Sequence, residues 1–231
     1  MGRHKARPYY TRRGKMAKKR KTRAQKKKTK TKQLPVSDLI NRKLLLREAV
    51  NWTLHECLIS KEWRDTRQLA QVMVARRSPN GYIVVAGFIL DLGCLGIKDA
   101  LTIGFATESR YRDEYKSHLL GTQEMIPCDL DLAAKVIDEA QKYAASIGFK
   151  PHRDSKDALK LLGDANPQNC SEPVPVGGED GKPFYFAGPY DDTDRILRIL
   201  DRTVGQGNYD YVVFLDEPPF GDLGDFEDEE F

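Results

Sequence analysis

The chain has 231 residues, 40% of them hydrophobic, which is enough for one sizeable core with appendages. Its formal net charge of +4 conceals a split: residues 1–33 hold sixteen Lys or Arg and no acid, while residues 216–231 hold eight carboxylates and no base. No apolar run approaches the roughly eighteen residues of a membrane span, and the charged N-terminus lacks a signal-peptide core, so no membrane partner and a cytoplasmic location are expected.

In chain order, the first segment is the basic stretch 1–36, closed by Leu34-Pro35. It is low in complexity and too polar to bury a core, so it is expected to be a disordered arm. Leu39, Ile40, Leu44, Leu45, Ala49, Trp52 and Leu58 then recur at roughly helical spacing, which predicts a helix over about 38–59. "LAQVMVARRSPNGYIVVAGFILDL" reads as two strands joined at Asn80-Gly81, a dipeptide that tolerates positive φ. The second of these strands is apolar almost throughout, as for a central strand covered on both faces. "DALTIGFAT" predicts a third strand, and 107–128 a connection with a short helix.

The clearest helix is 129–147, with Leu132, Val136, Ile137, Ala140, Ala144 and Ile147 on one face, Asp129 or Asp131 as cap and Gly148 as stop. A shorter helix is expected at 155–162, then a loop over 163–181. "KPFYFAG", "DTDRILRILDRTV" and "YDYVVFL" predict strand, helix, strand, and everything past Leu215 reads as an acidic tail. This order predicts an α+β fold, a mostly antiparallel sheet with packed helices in a single domain over 37–215, flanked by the basic arm and the acidic tail of 216–231.

The arm carries the strongest functional signal. Arg3, Arg7, Arg12, Arg13, Lys15, Lys18, Lys19, Arg20, Lys21, Arg23, Lys26, Lys27 and Lys28 can displace counterions from a phosphate backbone. Tyr9 and Tyr10 can stack on unpaired bases. Extended, the arm would reach on the order of 100 Å. It therefore points to RNA, above all ribosomal RNA, and to association with the ribosome. The acidic tail, with Phe220, Phe226 and Phe231 among its carboxylates, offers a site for a protein partner.

The body has weaker candidates. Asp91, Cys94 and Lys98 follow the buried strand, and His152 and Asp154 follow the end of the long helix. A Cys-His-Asp set would serve nucleophilic catalysis, and Asp91, Asp99 and Asp154 could hold a divalent metal for a nuclease or hydrolase. Neither set has diagnostic spacing. No cofactor fingerprint is present, no cofactor is expected, and Cys57, Cys94, Cys128 and Cys170 contain no paired metal-ligand motif, which reads as four free thiols in a reducing compartment.

The stretches "VVAGFILDLGCLGIKDA", "AASIGFKPHRD", "LLGDANPQNC" and "GEDGKPFYFAGPYDDTDRILRIL" together resemble a family of uncharacterised bacterial proteins over about residues 68–214. The resemblance implies a bacterial cytoplasm and a shared body to which both ends are additions. It carries no activity with it. The sequence therefore points first to a non-enzymatic, ribosome-associated RNA-binding protein. The alternatives are a metal-dependent nuclease or hydrolase tethered by the arm, and a protein-interaction module that uses the tail.

Overall fold

Period-two alternation builds the centre of the fold. In a computed structural model, which describes residues 44–117 and 123–213, the main sheet contains β1 Thr53–Ser60, β2 Leu69–Arg77, β3 Ile83–Asp91, β4 Gly96–Ala106 and β5 Met125–Pro127. The strand order is β4-β3-β2-β1-β5, and every neighbouring pair is antiparallel. Val72 and Val74 of β2 and Val84, Ala86, Phe88 and Leu90 of β3 point to one face. Met73, Ala75, Ile83 and Val85 point to the other. Both faces of β3 are covered, which explains its nearly unbroken apolar sequence.

The first face is packed by three helical elements: residues 44–49 (α1), the long helix Leu130–Ser146 (α3) and the short helix Ser155–Ala158 (α4) with its 3-10 extension Leu159–Leu162. Each fully buried Leu, Val or Phe here contributes about 1.5–3 kcal/mol. The opposite face is covered by Glu108–Arg110 (α2) and the π-helical turn Tyr111–Lys116 that continues it. Tyr111 and Lys116 both donate to the carboxylate of Glu56 on β1, and Tyr111 stacks edge-on against His55 with ring centres 5.4 Å apart.

The β2–β3 hairpin closes as the sequence predicts, with Ser78 N–H donating to the Tyr82 carbonyl at 2.8 Å. Only Gly81 takes positive φ, at +83°; Asn80 does not. The helix at 130–146 and the short helix at 155–162 lie where periodicity places them. Asp129 holds the N-cap position of α3, but its side chain makes no capping bond. Asp131 turns outward instead and accepts from Asn166 N–H at 2.8 Å and Asn169 Nδ2 at 3.1 Å.

One expectation is corrected. The helix predicted over about 38–59 does not run through: helical residues end at 49, and Thr53–Ser60 is a strand. Pairing with β2 on one side and β5 on the other satisfies the β1 backbone and overrides the helix-like apolar spacing. The last unit is strand, helix, strand as the sequence predicts. Phe184–Phe186 (β6), Thr193–Thr203 (α5) and Asp210–Val212 (β7) form a β-α-β crossover whose two strands pair in parallel. Tyr185 of β6 and Leu200 of α5 join Cys94 and Ile147 in a small buried cluster of their own.

Arg76, 5% exposed on β2, ties three segments together. Its Nε donates to the Leu161 carbonyl at 2.7 Å, and its two terminal nitrogens donate to Trp52 at 2.8 Å and Leu162 at 3.1 Å. The Leu162 carbonyl also accepts from Ala165 N–H at 3.2 Å.

Candidate functional site

The end of β3 and the start of the β-α-β unit enclose a cleft of about 800 Å³. Its floor begins at Asp91, the last residue of β3, which is 5% exposed. The chain reverses through Leu92-Gly93-Cys94-Leu95, and this turn wraps its own N–H groups around the Asp91 carboxylate. Cys94 N–H reaches Oδ1 at 2.9 Å, and the N–H groups of Leu95 and Gly93 also serve the carboxylate. Burial outweighs these donors and the nearby Lys98 ammonium, and pushes the Asp91 pKa up to about 6. Asp91 thus holds its proton well above the usual aspartate range.

Gly93 is required by close approach. A Cβ there would lie 2.7 Å from the carbonyl oxygens of both Phe184 and Thr66. The turn is pinned to the second unit, with Phe184 N–H donating to the Gly93 carbonyl at 3.0 Å.

Lys98 of β4 reaches across the cleft to Asp191, Nζ to Oδ2 at 2.8 Å. Both side chains are largely buried, at 18% and 12% exposure. The same Oδ2 accepts from Gly188 N–H at 2.8 Å and from the Tyr185 hydroxyl at 3.2 Å, and that hydroxyl also lies 3.2 Å from Thr193 Oγ1. Burial pushes the Tyr185 phenol up to about 12, so it stays a neutral donor. Phe184, Phe186, Pro189 and Leu69 supply apolar walls, with Arg67 and Gln68 among the lining residues. The chemistry available is a buried carboxyl that titrates well above the usual aspartate range, an ammonium held by one carboxylate, and aromatic surface for a planar ligand.

Of the five residues predicted for catalysis, Asp91 and Lys98 meet in this cleft. Cys94 does not: its side chain is fully buried with Ile147, Tyr185 and Leu200, and burial raises its thiol pKa, which disfavours a thiolate. His152 docks on β4 through its N–H to the Ile97 carbonyl at 3.1 Å. Its Nδ1 lies 3.5 Å from Asp99 and 3.9 Å from Asp154. A metal set of Asp91, Asp99 and Asp154 is not brought together, and among the described residues no three His, Cys, Asp or Glu side chains converge as ligands.

Sequence reasoning gave no role to Asp191, Tyr185 or Thr193. The available signal was the polar cluster "GPYDDT" directly after an apolar strand. The arm residues from Arg3 to Lys28 and the acidic tail lie outside the described residues. Among the described residues no helix is long and apolar enough to cross a membrane. No family model matches the chain, and neither the curated proteins nor the solved structures contain a match to it.

Proposed function

We propose that the protein binds RNA, ribosomal RNA foremost, through its basic N-terminal segment, and that it does so without catalysis. One observation carries this reading: sixteen cations and no anion in residues 1–33, on a body that is close to neutral. The body's own cations are largely committed. Lys61, Arg64, Arg77, Arg110, Arg112 and Lys142 each face a carboxylate. An exception is Arg195, Arg198 and Arg202, exposed on one face of α5, which form the body's contact with phosphate.

The test is RNA binding at several salt concentrations, together with co-sedimentation with ribosomal subunits, for the full chain and a 1–33 deletion. The full chain should lose affinity with salt at a log–log slope of about −0.7 to −0.9 per phosphate engaged. The deletion should remain unbound. Equal sedimentation of both proteins at low salt would end this reading. Loss of a protein partner on deleting 216–231, with RNA binding intact, would instead favour the tail as the functional element.

A second reading rests on Asp91. A protein that keeps a carboxyl buried beside an ammonium in an aromatic cleft gives up stability there, and such groups concentrate at binding and catalytic sites. In this reading the cleft takes a small anionic, planar ligand, with Lys98 released from Asp191 to meet its charge and Asp91 moving a proton. A thermal-shift screen of nucleotides and aromatic acids decides it. A ligand whose stabilisation disappears in both Lys98→Met and Asp91→Asn supports the reading. If no ligand depends on both, the cluster is a clamp between the two units.

A further inference from the structure

The four thiols are not equivalent. Cys57 of β1 and Cys128, one residue past β5, stand directly opposite each other: the register pairs Leu58 with Pro127 and Ile59 with Ile126, and Cys128 N–H donates to the Cys57 carbonyl at 3.0 Å. Their sulfurs are 3.5 Å apart, although 71 residues separate them in the chain. Directly paired positions on antiparallel strands have Cα atoms about 4.5–5.5 Å apart, inside the span of about 4.4–6.8 Å that a disulfide bridges. The backbone is therefore already placed for a bond, and only side-chain rotation is needed.

The two thiols also differ in the way a reactive pair should. Cys57 is buried among the residues that face α1 and α3, while Cys128 is half-buried. Cys128 lies immediately before the Asp129 N-cap of the 17-residue helix α3. The open crevice of about 500 Å³ beside that helix start is lined by Cys170 and not by Cys128, so Cys170 is the competing thiol, and what sets Cys128 apart from it is the sulfur 3.5 Å away. The two thiols share a hydrogen bond in which either sulfur can donate, and this contact lowers the Cys128 pKa from the usual thiol range and raises that of Cys57. The two remaining thiols lack this arrangement: Cys94 is enclosed with Ile147 and Tyr185, and Cys170 has no thiol neighbour among the described residues.

We propose that Cys57 and Cys128 are an oxidisable dithiol, with Cys128 the attacking thiol and Cys57 the resolving one. A peroxide is the oxidant. The Cys128 sulfur attacks one peroxide oxygen, the O–O bond breaks, the far oxygen leaves as water, and Cys128 becomes a sulfenic acid. The Cys57 sulfur then attacks the Cys128 sulfur, the S–O bond breaks, and the second oxygen leaves as water with the Cys57 proton. Two thiols and one hydrogen peroxide give one disulfide and two waters. The bond links β1 to the short strand β5, whose register with it runs over three residue pairs flanked by the Cys128–Cys57 and Lys61–Glu124 main-chain bonds, and fixes the chain where it enters α3.

The experiment uses the full-length protein and hydrogen peroxide in modest molar excess, followed by denaturation, alkylation and peptide mapping. Two of the four thiols should disappear, and one cross-linked peptide pair should contain Cys57 and Cys128. A thiol reductant should restore all four. Cys57→Ser should leave a dimedone-trappable sulfenic acid on Cys128, and Cys128→Ser should leave Cys57 unmodified at the same dose. First oxidation at Cys170 or Cys94, or conversion of Cys128 to the sulfinic acid in wild-type protein with no cross-link, would overturn the proposal. Because Cys128 is half-buried, its serine variant is expected to fold, and a matching circular dichroism spectrum makes its result decisive.

Discussion

Asp91→Asn should change the way stability depends on pH. In the unfolded chain Asp91 ionises at its ordinary 3.8, whereas in the folded protein burial holds it protonated up to about 6. Between these values the folded state binds more protons than the unfolded state, so this residue makes unfolding progressively easier as pH rises. A tenfold change in proton affinity is worth about 1.36 kcal/mol, so the rise from 3.8 to about 6 removes about 3 kcal/mol of stability between pH 4 and just above pH 6. That is a large fraction of the roughly 5–15 kcal/mol that holds a domain together. The asparagine side chain keeps the shape and one carbonyl acceptor for the Gly93-to-Leu95 turn, but it never ionises. Urea unfolding of wild type and variant at intervals from pH 3.5 to 8 measures the difference, and contributions from other titrating groups cancel. The variant's advantage should grow by about 3 kcal/mol over the acid half of that range and level off above pH 7. A difference that stays constant with pH would refute a raised Asp91 pKa, and one that falls with pH would mean that folding lowers it instead.

Lys98→Met should raise the Asp91 pKa further, because the ammonium favours the ionised carboxylate; ¹³C-detected titration of the Asp91 carboxyl should show its midpoint above that of wild type. The same substitution should cost about 1.5–3 kcal/mol through the lost charged hydrogen bond to Asp191, read as a lower urea midpoint. Arg76→Met should leave the carbonyls of Trp52 and Leu161 without the guanidinium donor, and Leu162 with only Ala165 N–H, and lower stability by about 2–4 kcal/mol, while far-ultraviolet circular dichroism stays native at low temperature. Gly93→Ala should cost about 1–3 kcal/mol, because a Cβ 2.7 Å from two backbone carbonyls forces β6 away from the turn; faster hydrogen exchange at the Phe184 amide would report that movement.

How much of this was legible in the sequence depended on how local each signal is. The β2–β3 hairpin was readable because alternation and a glycine turn act over about twenty residues. Helix α3 was readable because Val136, Ile137, Ala140 and Ala144 repeat on one face. Strand β1 was not, because Leu45, Ala49, Trp52 and Leu58 fit a helical spacing, and only the edge of β2, over a dozen residues away, makes Thr53–Ser60 a strand. β5 is three residues long and ends in proline, so no pattern could announce it. The site divided in the same way. Asp91 and Lys98 stood out as polar residues at the ends of apolar strands, but Asp191 is 93 positions from Lys98 and nothing local links the two. The arm was legible from composition alone, since charge density needs no fold.

The separation between Lys98 and Asp191 also sets a clock. Strands β1 to β4 pair with their neighbours in chain order, so the sheet can assemble as soon as residues up to 106 have been synthesised. The second wall of the cleft begins at Phe184 and is complete only at Val212. At about 5–20 residues per second of elongation, a nascent chain carries four paired strands and an unfinished cleft for roughly five seconds or more. During that interval the Gly93 turn lacks Phe184, and Lys98 lacks Asp191. The Gly93 carbonyl finds its donor, Phe184 N–H, only once β6 has been made.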